Sequence, residues 1–320
     1  METRTKIPVS REILADMETP LSVYRKLANC SYSYLFESVE GGESKGRYSI
    51  LGLKPDLIWR CYGDKAEINY NPSKSLSEFS LDSKSTLKSI RSLLKNSKIN
   101  LPEYLPPMAS GLVGYLGFDT IKLVENIPSN NPATLNLPDG MFIRPKIMII
   151  FDAVEDTMTI ITPIYIKNDK INSYEKLYKK SCNIINDVVN LLKQPIENKD
   201  LKNSNIKKDI KIKSNFKKSE YLKIIKKAKE YIKAGDIFQV VPSQRFEIPF
   251  SSPPFNLYRS LRRLNPSPFL YYLNFNDFSV IGSSPEILVR VRDNKVTVEQ
   301  FLNNTEKGLT VSDFKRFSLS

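Results

Sequence analysis

Apolar residues recur at helical spacing in five stretches of the chain, and each stretch predicts an amphipathic helix. Thr19 and Pro20 supply an N-cap and a proline at the first helical position. Ser219 is a candidate cap for a later helix, and Gly235 suits the left-handed residue that ends it. The predicted helices cover residues 20–28, 83–96, 173–192, 219–234 and 253–264.

Apolar runs and alternating patterns between these helices, bounded by turn residues, predict β-strands that pair as hairpins. The first strands are predicted over 32–39 and 47–51. A further strand is predicted over 238–246, where Pro242 indicates an edge or a bulge. Glycines at every third position of 111–119 indicate close backbone packing rather than a phosphate cradle. The predicted hairpin turns are Gly63–Asp64, Glu155–Asp156, Asn276–Asp277 and Asp293–Asn294.

Periodicity is lost between Gln194 and Lys213, where Lys, Asn and Asp become frequent. This composition is typical of a flexible linker. We therefore predict an N-terminal domain over 1–193, a linker over 194–213 and the first part of a second domain over 214–298. A divergent tail follows over 299–320.

Composition and charge exclude several classes of protein. The 320 residues are 41% apolar, which suffices for a large core, and no apolar run is long enough to span a bilayer. Neither a leader nor a membrane segment is evident, so we expect a cytoplasmic chain without a membrane partner. The net charge is +13, but lysines concentrate between 199 and 218, and no basic helix or strand interleaves aromatics as base stacking needs, so a solvated surface is favoured over nucleic-acid binding.

The chain contains no histidine, which excludes Ser-His-Asp, Cys-His and histidine-based zinc mechanisms. Acid–base chemistry must therefore use carboxylates, Lys or Tyr, and any metal should be a hard ion such as Mg²⁺. Cys30, Cys61 and Cys182 are widely spaced, which favours reduced packing residues over a disulfide framework or a zinc site.

Four segments carry a resemblance to a known family: TPLSVYRKL (19–27), YLFESVEGGESKGRYSILG (34–52), GDIFQVVPSQRF (235–246) and GSSPEILVRV (282–291). Together they resemble the chorismate-using enzymes, and within that family the large subunit of anthranilate synthase. The resemblance extends from about Pro8 to Val298. It implies an α+β fold, a two-sheet β-sandwich with flanking helices, here incomplete at its C-terminal end.

The resemblance implies catalytic roles for two residues. Glu286, in the motif SSPE, matches the general acid that protonates the C4 hydroxyl of chorismate while a nucleophile adds at C2. Gln239 occupies the position where water-using relatives place a lysine base, and ammonia needs no such base. The implied reaction converts chorismate and ammonia to anthranilate and pyruvate, the first committed step of tryptophan biosynthesis. An aminodeoxychorismate synthase-like reaction is the alternative. A separate glutamine amidotransferase small subunit would supply the ammonia.

The resemblance also implies a feedback site for L-tryptophan, formed by two segments. Glu37 and Ser38 in LFES suit the ligand's ammonium group. Pro268, Phe269 and Leu270 in NPSPFL suit an indole ring.

Later elements of the family have no counterpart after Val298, namely an IAGT-type loop, a histidine segment and two glutamates that bind Mg²⁺. We therefore expect that the Mg²⁺ of the full-length family has no ligands here, and that this chain alone has no useful activity. A changed reading frame or an interrupted gene is our hypothesis for the tail. A non-catalytic remnant that binds tryptophan or a partner is the competing hypothesis.

Overall fold

A computed structural model describes residues 6–28, 30–39, 45–106, 108–128, 134–165, 171–196, 211–292, 295–298 and 309–310. The chain divides into two compact units. The larger unit joins Met1–Glu197 with Leu257–Ser320, and the smaller unit is Asn198–Asn256. Most of the predicted linker and tail lies outside the described residues, and the predicted domain limits stay predictions.

Five α-helices and one 3₁₀ helix occur within the described ranges. They are α1 (Pro20–Leu27), α2 (Thr86–Ser97), the 3₁₀ helix (Phe118–Leu123), α3 (Ile171–Leu192), α4 (Lys218–Ala234) and α5 (Pro254–Leu264). None of these helices combines the length and apolar composition that crossing a bilayer requires.

Two helix ends follow the local chemistry of their caps. The Thr19 hydroxyl accepts from the Ser22 amide at 3.1 Å, so the predicted cap of α1 is confirmed. At α4 the predicted cap, Ser219, was wrong, because the Lys217 amide donates to the Glu220 carboxylate at 2.9 Å and the helix starts earlier. Gly235 ends α4 with φ 81°, as predicted.

Ten strands of the described chain form one sheet, which lies wholly in the larger unit. They are β1 (Lys6–Leu14), β2 (Ser33–Val39), β3 (Lys45–Tyr62), β4 (Lys65–Asn69), β5 (Ser80–Ser85), β6 (Val113–Leu116), β7 (Gly140–Asp152), β8 (Thr157–Tyr165), β11 (Phe269–Asn274) and β12 (Ser279–Ser284). All strand pairs of this sheet are antiparallel, and its main order is β1-β8-β7-β3-β2-β11-β12. Beside this path β4 pairs with β3 and β5, and β6 pairs with β7.

The remaining strands form two small sheets. In the smaller unit β9 (Lys213–Ser214) pairs with β10 (Phe246–Glu247). In the larger unit β13 (Val289–Arg292), β14 (Lys295–Val298) and β15 (Leu309–Thr310) form a three-stranded sheet. The strand predicted over 238–246 was wrong except at Phe246, because Pro242 has no amide donor and residues 238–245 pair with no described strand.

Three of the predicted hairpins are confirmed by their strand pairing: β3 with β4, β7 with β8, and β11 with β12. Their turns use left-handed residues, with φ 53° at Gly63, 50° at Asp156 and 69° at Asn276. The pairing of β13 with β14 is confirmed too, although the turn residues 293 and 294 lie outside the described part.

The core forms on both faces of the large sheet, because successive side chains of each strand point to opposite faces. Trp59 on β3 is fully buried and donates a 3.0 Å hydrogen bond to the hydroxyl of Ser89 on α2. Helix α3 packs against β1, β8 and α1. Gly114 confirms the predicted close backbone packing, since a Cβ there would lie 1.9 Å from the carbonyl oxygen of Met141.

Candidate functional site

The two segments predicted to bind L-tryptophan lie on neighbouring strands of the large sheet. LFES lies near the end of β2, and NPSPFL leads into β11, which pairs with β2 in antiparallel register. Glu37 lies directly opposite Leu270, and Leu270 in turn lies opposite Ser283 on β12. Residues that are more than 200 positions apart in the sequence therefore meet side by side.

The carboxylate of Glu37 is buried and held by two side chains of helix α5. Its side chain is 2% exposed, and Oε2 accepts from the Tyr258 hydroxyl at 2.6 Å and from Arg262 Nε at 2.9 Å. Burial and the adjacent carboxylate raise the pKa of the Tyr258 phenol. Tyr258 therefore stays neutral and donates a hydrogen bond to the Glu37 carboxylate.

The sequence motifs did not predict a role for Tyr258 or Arg262. Their spacing of four residues places both on one face of α5, immediately before NPSPFL, which is the signal that could have found them. What the sequence does not contain is the register that brings α5 next to Glu37.

The other predicted tryptophan residues differ in their surroundings. Leu270 is buried, whereas Phe269 is 40% exposed and points to the opposite face of β11. Ser267, just before Pro268, donates a 2.8 Å hydrogen bond to the carbonyl of Ser284 and fixes the start of β11. Ser38 lies at an irregularity in the pairing of β2 with β3. The structure thus brings Glu37 and Leu270 together and puts Phe269 on the other face.

Glu286 lies in the bend between β12 and β13. The residue is half-buried, and its backbone carbonyl accepts a 3.0 Å hydrogen bond from the Ser284 hydroxyl. Ser283 donates to the carbonyl of Asn265 at 2.7 Å, which ties the end of β12 to the end of α5. The backbone that carries Glu286 is therefore fixed on the side of β12.

Gln239 lies in the smaller unit and is exposed. Its segment is non-regular and is attached to α4 through the Tyr221 hydroxyl, which donates to the carbonyl of Pro242 at 3.3 Å. Phe238 and Val241 flank it with exposed apolar side chains. The two predicted catalytic residues, Glu286 and Gln239, thus belong to different units.

The described residues contain no cluster of metal-binding side chains. Within those residues no group of three or more Asp, Glu, His or Cys side chains could hold a metal ion. The three cysteines are free.

Solved structures define the class of protein to which this fold belongs. Anthranilate synthase component I from Streptococcus pneumoniae TIGR4 matches with a TM-score of 0.61 and 25% identity, over 89% of this chain and 60% of that chain. The menaquinone-specific isochorismate synthase MenF from Escherichia coli matches with a TM-score of 0.51 and 15% identity, over 92% of this chain and 54% of that chain, which shows the fold alone. The predicted α+β, anthranilate synthase-like fold is confirmed.

A family model described as chorismate binding enzyme matches residues 33–301. The chain therefore belongs to the chorismate-binding enzyme family. Anthranilate synthase component 1 of Cereibacter sphaeroides is 41% identical over 304 residues, which cover 94% of this chain and 60% of that protein. Anthranilate synthase component 1 of Aquifex aeolicus is 36% identical over 324 residues, which cover 98% of this chain and 62% of that protein. The resemblance found in the sequence is confirmed, and the chain spans about 60% of the length of these relatives.

Proposed function

We propose that this chain is part of a cytoplasmic anthranilate synthase large subunit, which converts chorismate and ammonia to anthranilate and pyruvate. The observation that carries this proposal is the 41% identity to a component 1 protein across 94% of the chain. The isochorismate synthase neighbour shares the fold at only 15% identity, so it gives no comparable support for a water-using reaction.

In this proposal Glu286 is the general acid. Ammonia adds through its lone pair at C2 of chorismate, the ring double bonds shift, and the C4–O bond breaks. The Glu286 carboxyl transfers its proton to the departing oxygen, which leaves as water. The ammonium group formed at C2 releases one proton. The C2 hydrogen then leaves as a proton, the C3–O bond breaks, and the enolpyruvyl group takes up a proton and departs as pyruvate, which leaves an aromatic ring. A half-buried carboxyl on a backbone fixed by Ser284 suits this role, because the proton must be delivered at one defined position.

Gln239 favours ammonia over water in the proposed reaction. A glutamine amide cannot remove a proton from water at neutral pH, whereas neutral ammonia already carries a reactive lone pair. The ammonia would come from a glutamine amidotransferase small subunit, in keeping with the "component 1" name of the relatives. Gln239 and its neighbours Phe238 and Val241 are exposed, so this segment of the smaller unit is accessible to solvent.

Magnesium would position the carboxylate of chorismate and neutralise its charge in the full-length family. Since the described residues offer no set of ligands for it, no step above runs through the metal. We therefore expect the 320 residues alone to show no useful turnover.

L-tryptophan is proposed as a feedback inhibitor that binds at Glu37, Ser38, Pro268, Phe269 and Leu270. The opposition of Glu37 and Leu270 on paired strands supports a joint site. Calorimetric titration with L-tryptophan tests it: Ser38→Ala should weaken binding about tenfold through loss of one hydrogen bond to a charged group. Equal affinity of the wild type and the variant would remove Ser38 from the site.

The product identifies the reaction. Residues 1–298 are joined to the corresponding remainder of the Cereibacter sphaeroides relative, and this joined enzyme is given chorismate, Mg²⁺ and ammonium chloride. Mass spectrometry should find anthranilate and pyruvate, and neither without ammonium. Isochorismate from a folded sample would overturn the proposal, and aminodeoxychorismate as the end product would assign the alternative reaction.

A further inference from the structure

One cavity in the larger unit is lined by basic residues that the proposed reaction does not use. Its volume is about 680 Å³, within the range of small-molecule sites, and strands β3, β7 and β8, helix α3 and the segment 70–76 form its walls. Its charged lining residues are Lys54, Lys74, Lys146, Lys180 and Asp56. We call it the lysine cleft.

The single acidic residue of the lysine cleft does not balance these lysines. Asp56 accepts two hydrogen bonds from Arg144, at 2.6 Å from Nε and 2.9 Å from NH2. The Arg144 guanidinium also lies over the ring of Tyr165, 3.9 Å from its centroid. Asp56 is thus neutralised by an arginine, and none of the four lysines forms a salt bridge with a described carboxylate. The cleft therefore carries an uncompensated positive charge.

Two of the lysines lie opposite each other on the paired strands β3 and β7. Lys54 lies between the paired residues Leu53–Ile147 and Pro55–Pro145, so it is opposite Lys146 on β7. Like charges directly opposite on paired strands are destabilising. Lys54 also has φ 47°, a left-handed conformation that is uncommon for residues with a side chain. Repulsion and backbone strain thus coincide at Lys54, next to the shift of register between Pro55 and Leu57.

The environment of Lys146 indicates that its charge lacks a counter-ion. Burial lowers the pKa of its ammonium group, and Lys180 and Lys54 lower it further, against the opposing effect of Asp56. A bound anion would offset the burial of the Lys146 ammonium group and its repulsion by Lys54 and by Lys180. Residues with strained backbone of this kind cluster at active sites and ligand-binding sites.

We propose that the lysine cleft binds a small oxyanion of two or more negative charges, either a phosphate ester or a polycarboxylate, held between Lys54, Lys146 and Lys180. The site is separate from Glu37 and Glu286, so it would act as a regulatory or auxiliary site. It does not depend on the proposed reaction.

The test measures thermal unfolding and calorimetric binding of the full chain with sodium pyrophosphate, with sodium citrate, and with sodium chloride at equal ionic strength. Lys146→Gln removes the central charge. Lys88→Gln, on the exposed side of α2, is the control with the same change of net charge. Lys146→Gln should be at least as stable as the wild type without added anion, since it removes repulsion.

Pyrophosphate or citrate should raise the unfolding temperature of the wild type and of Lys88→Gln beyond the effect of chloride. The dissociation constant should increase about tenfold or more in Lys146→Gln. A response to pyrophosphate alone identifies the phosphate class, and a response to citrate alone identifies polycarboxylates. Stabilisation no greater than with chloride, or equal in Lys146→Gln and the wild type, overturns the proposal and leaves a solvated lysine surface.

Discussion

The phenol of Tyr258 donates a 2.6 Å hydrogen bond to the buried carboxylate of Glu37, although 221 residues separate the two in sequence. Arg262, one turn further along α5, donates to the same oxygen at 2.9 Å. A buried carboxylate is tolerated when it is paired and hydrogen-bonded, and these two contacts meet that condition. Helix α5 therefore holds in place the residue that opposes Leu270.

Replacing Tyr258 with Phe should destabilise the larger unit. The variant leaves a buried charged acceptor with one donor fewer, and a hydrogen bond to a charged group contributes about 1.5–3 kcal/mol. Urea unfolding followed by circular dichroism should show a lower midpoint. Tyr104→Phe, at a residue that is 73% exposed, is the control and should change stability by less than about 0.5 kcal/mol. Equal midpoints for the two variants would contradict the role assigned to Tyr258.

Replacing Tyr34 with Phe should have the opposite effect on stability and raise the free energy of unfolding. Tyr34 is fully buried, and its hydroxyl has no hydrogen-bond partner among the described residues. Tyr34→Phe removes an unsatisfied polar group and should raise the free energy of unfolding by about 1 kcal/mol. A lower urea midpoint for this variant would show that the hydroxyl has a partner in solution.

Alkaline pH gives an independent check on Tyr34. Burial raises the pKa of its phenol above the ordinary value of 10.0. Because the pKa of Tyr34 is higher in the folded state than in the unfolded chain, its contribution to the free energy of unfolding is fully present below about pH 10. This contribution is lost as the pH rises above about 10, where the phenol ionises in the unfolded chain first. The wild type should therefore lose more stability than Tyr34→Phe between pH 9 and pH 11.

Gly114→Ala should separate β6 from β7. The new Cβ would lie 1.9 Å from the Met141 carbonyl oxygen and 2.7 Å from the Phe142 Cα, both backbone atoms that cannot rotate away. We expect a loss of about 3 kcal/mol or more. The matched control is Gly63→Ala, where no atom lies within 4 Å and only the left-handed backbone costs about 1 kcal/mol. Equal losses in urea unfolding would contradict the close approach at Gly114.

Local structure was largely predictable from the sequence, and long-range pairing was not. The Thr19 cap, the Gly235 helix end and the Asn276–Asp277 turn depend on residues within a few positions of one another. The strand predicted over 238–246 failed because an apolar alternation does not guarantee a partner strand. The pairing of β2 with β11 depends on the whole fold, and only the family resemblance indicated that their segments belong together.

The candidate site shows the same division. Glu37 and Leu270 were named from motifs, and the structure adds that they oppose each other. The spacing of Tyr258 and Arg262 places both on one face of α5, but their contacts with Glu37 depend on the three-dimensional fold.

Acid pH should weaken the larger unit partly through Asp152. Burial acts to raise the pKa of this carboxyl, but hydrogen bonds from Arg47 and from the amides of Val154 and Glu155 bring it below its usual 3.8. Because the pKa of Asp152 is lower in the folded state than in the unfolded chain, the ionised carboxylate stabilises the folded state above about pH 4. This contribution to stability is lost as the pH falls below about 4. Arg47→Met should therefore show a shallower loss of stability between pH 4.5 and pH 2.5.

The control for Arg47→Met is Lys88→Met, which removes a positive charge from the exposed side of α2. It should follow the acid unfolding curve of the wild type. The effect of Arg47 is expected to be small, since its side chain is 51% exposed and solvent screens the pair. Parallel curves for all three proteins would show that the pair with Asp152 does not persist in solution.

The rate of anthranilate formation by the joined enzyme, with and without Glu286→Gln, tests the central claim most directly. Fluorescence of anthranilate is followed with chorismate, Mg²⁺ and ammonium chloride, and circular dichroism confirms that both proteins are folded. If Glu286 is the general acid, kcat should fall by about 10²- to 10⁴-fold in the variant. An unchanged kcat in a folded Glu286→Gln enzyme would contradict the assignment.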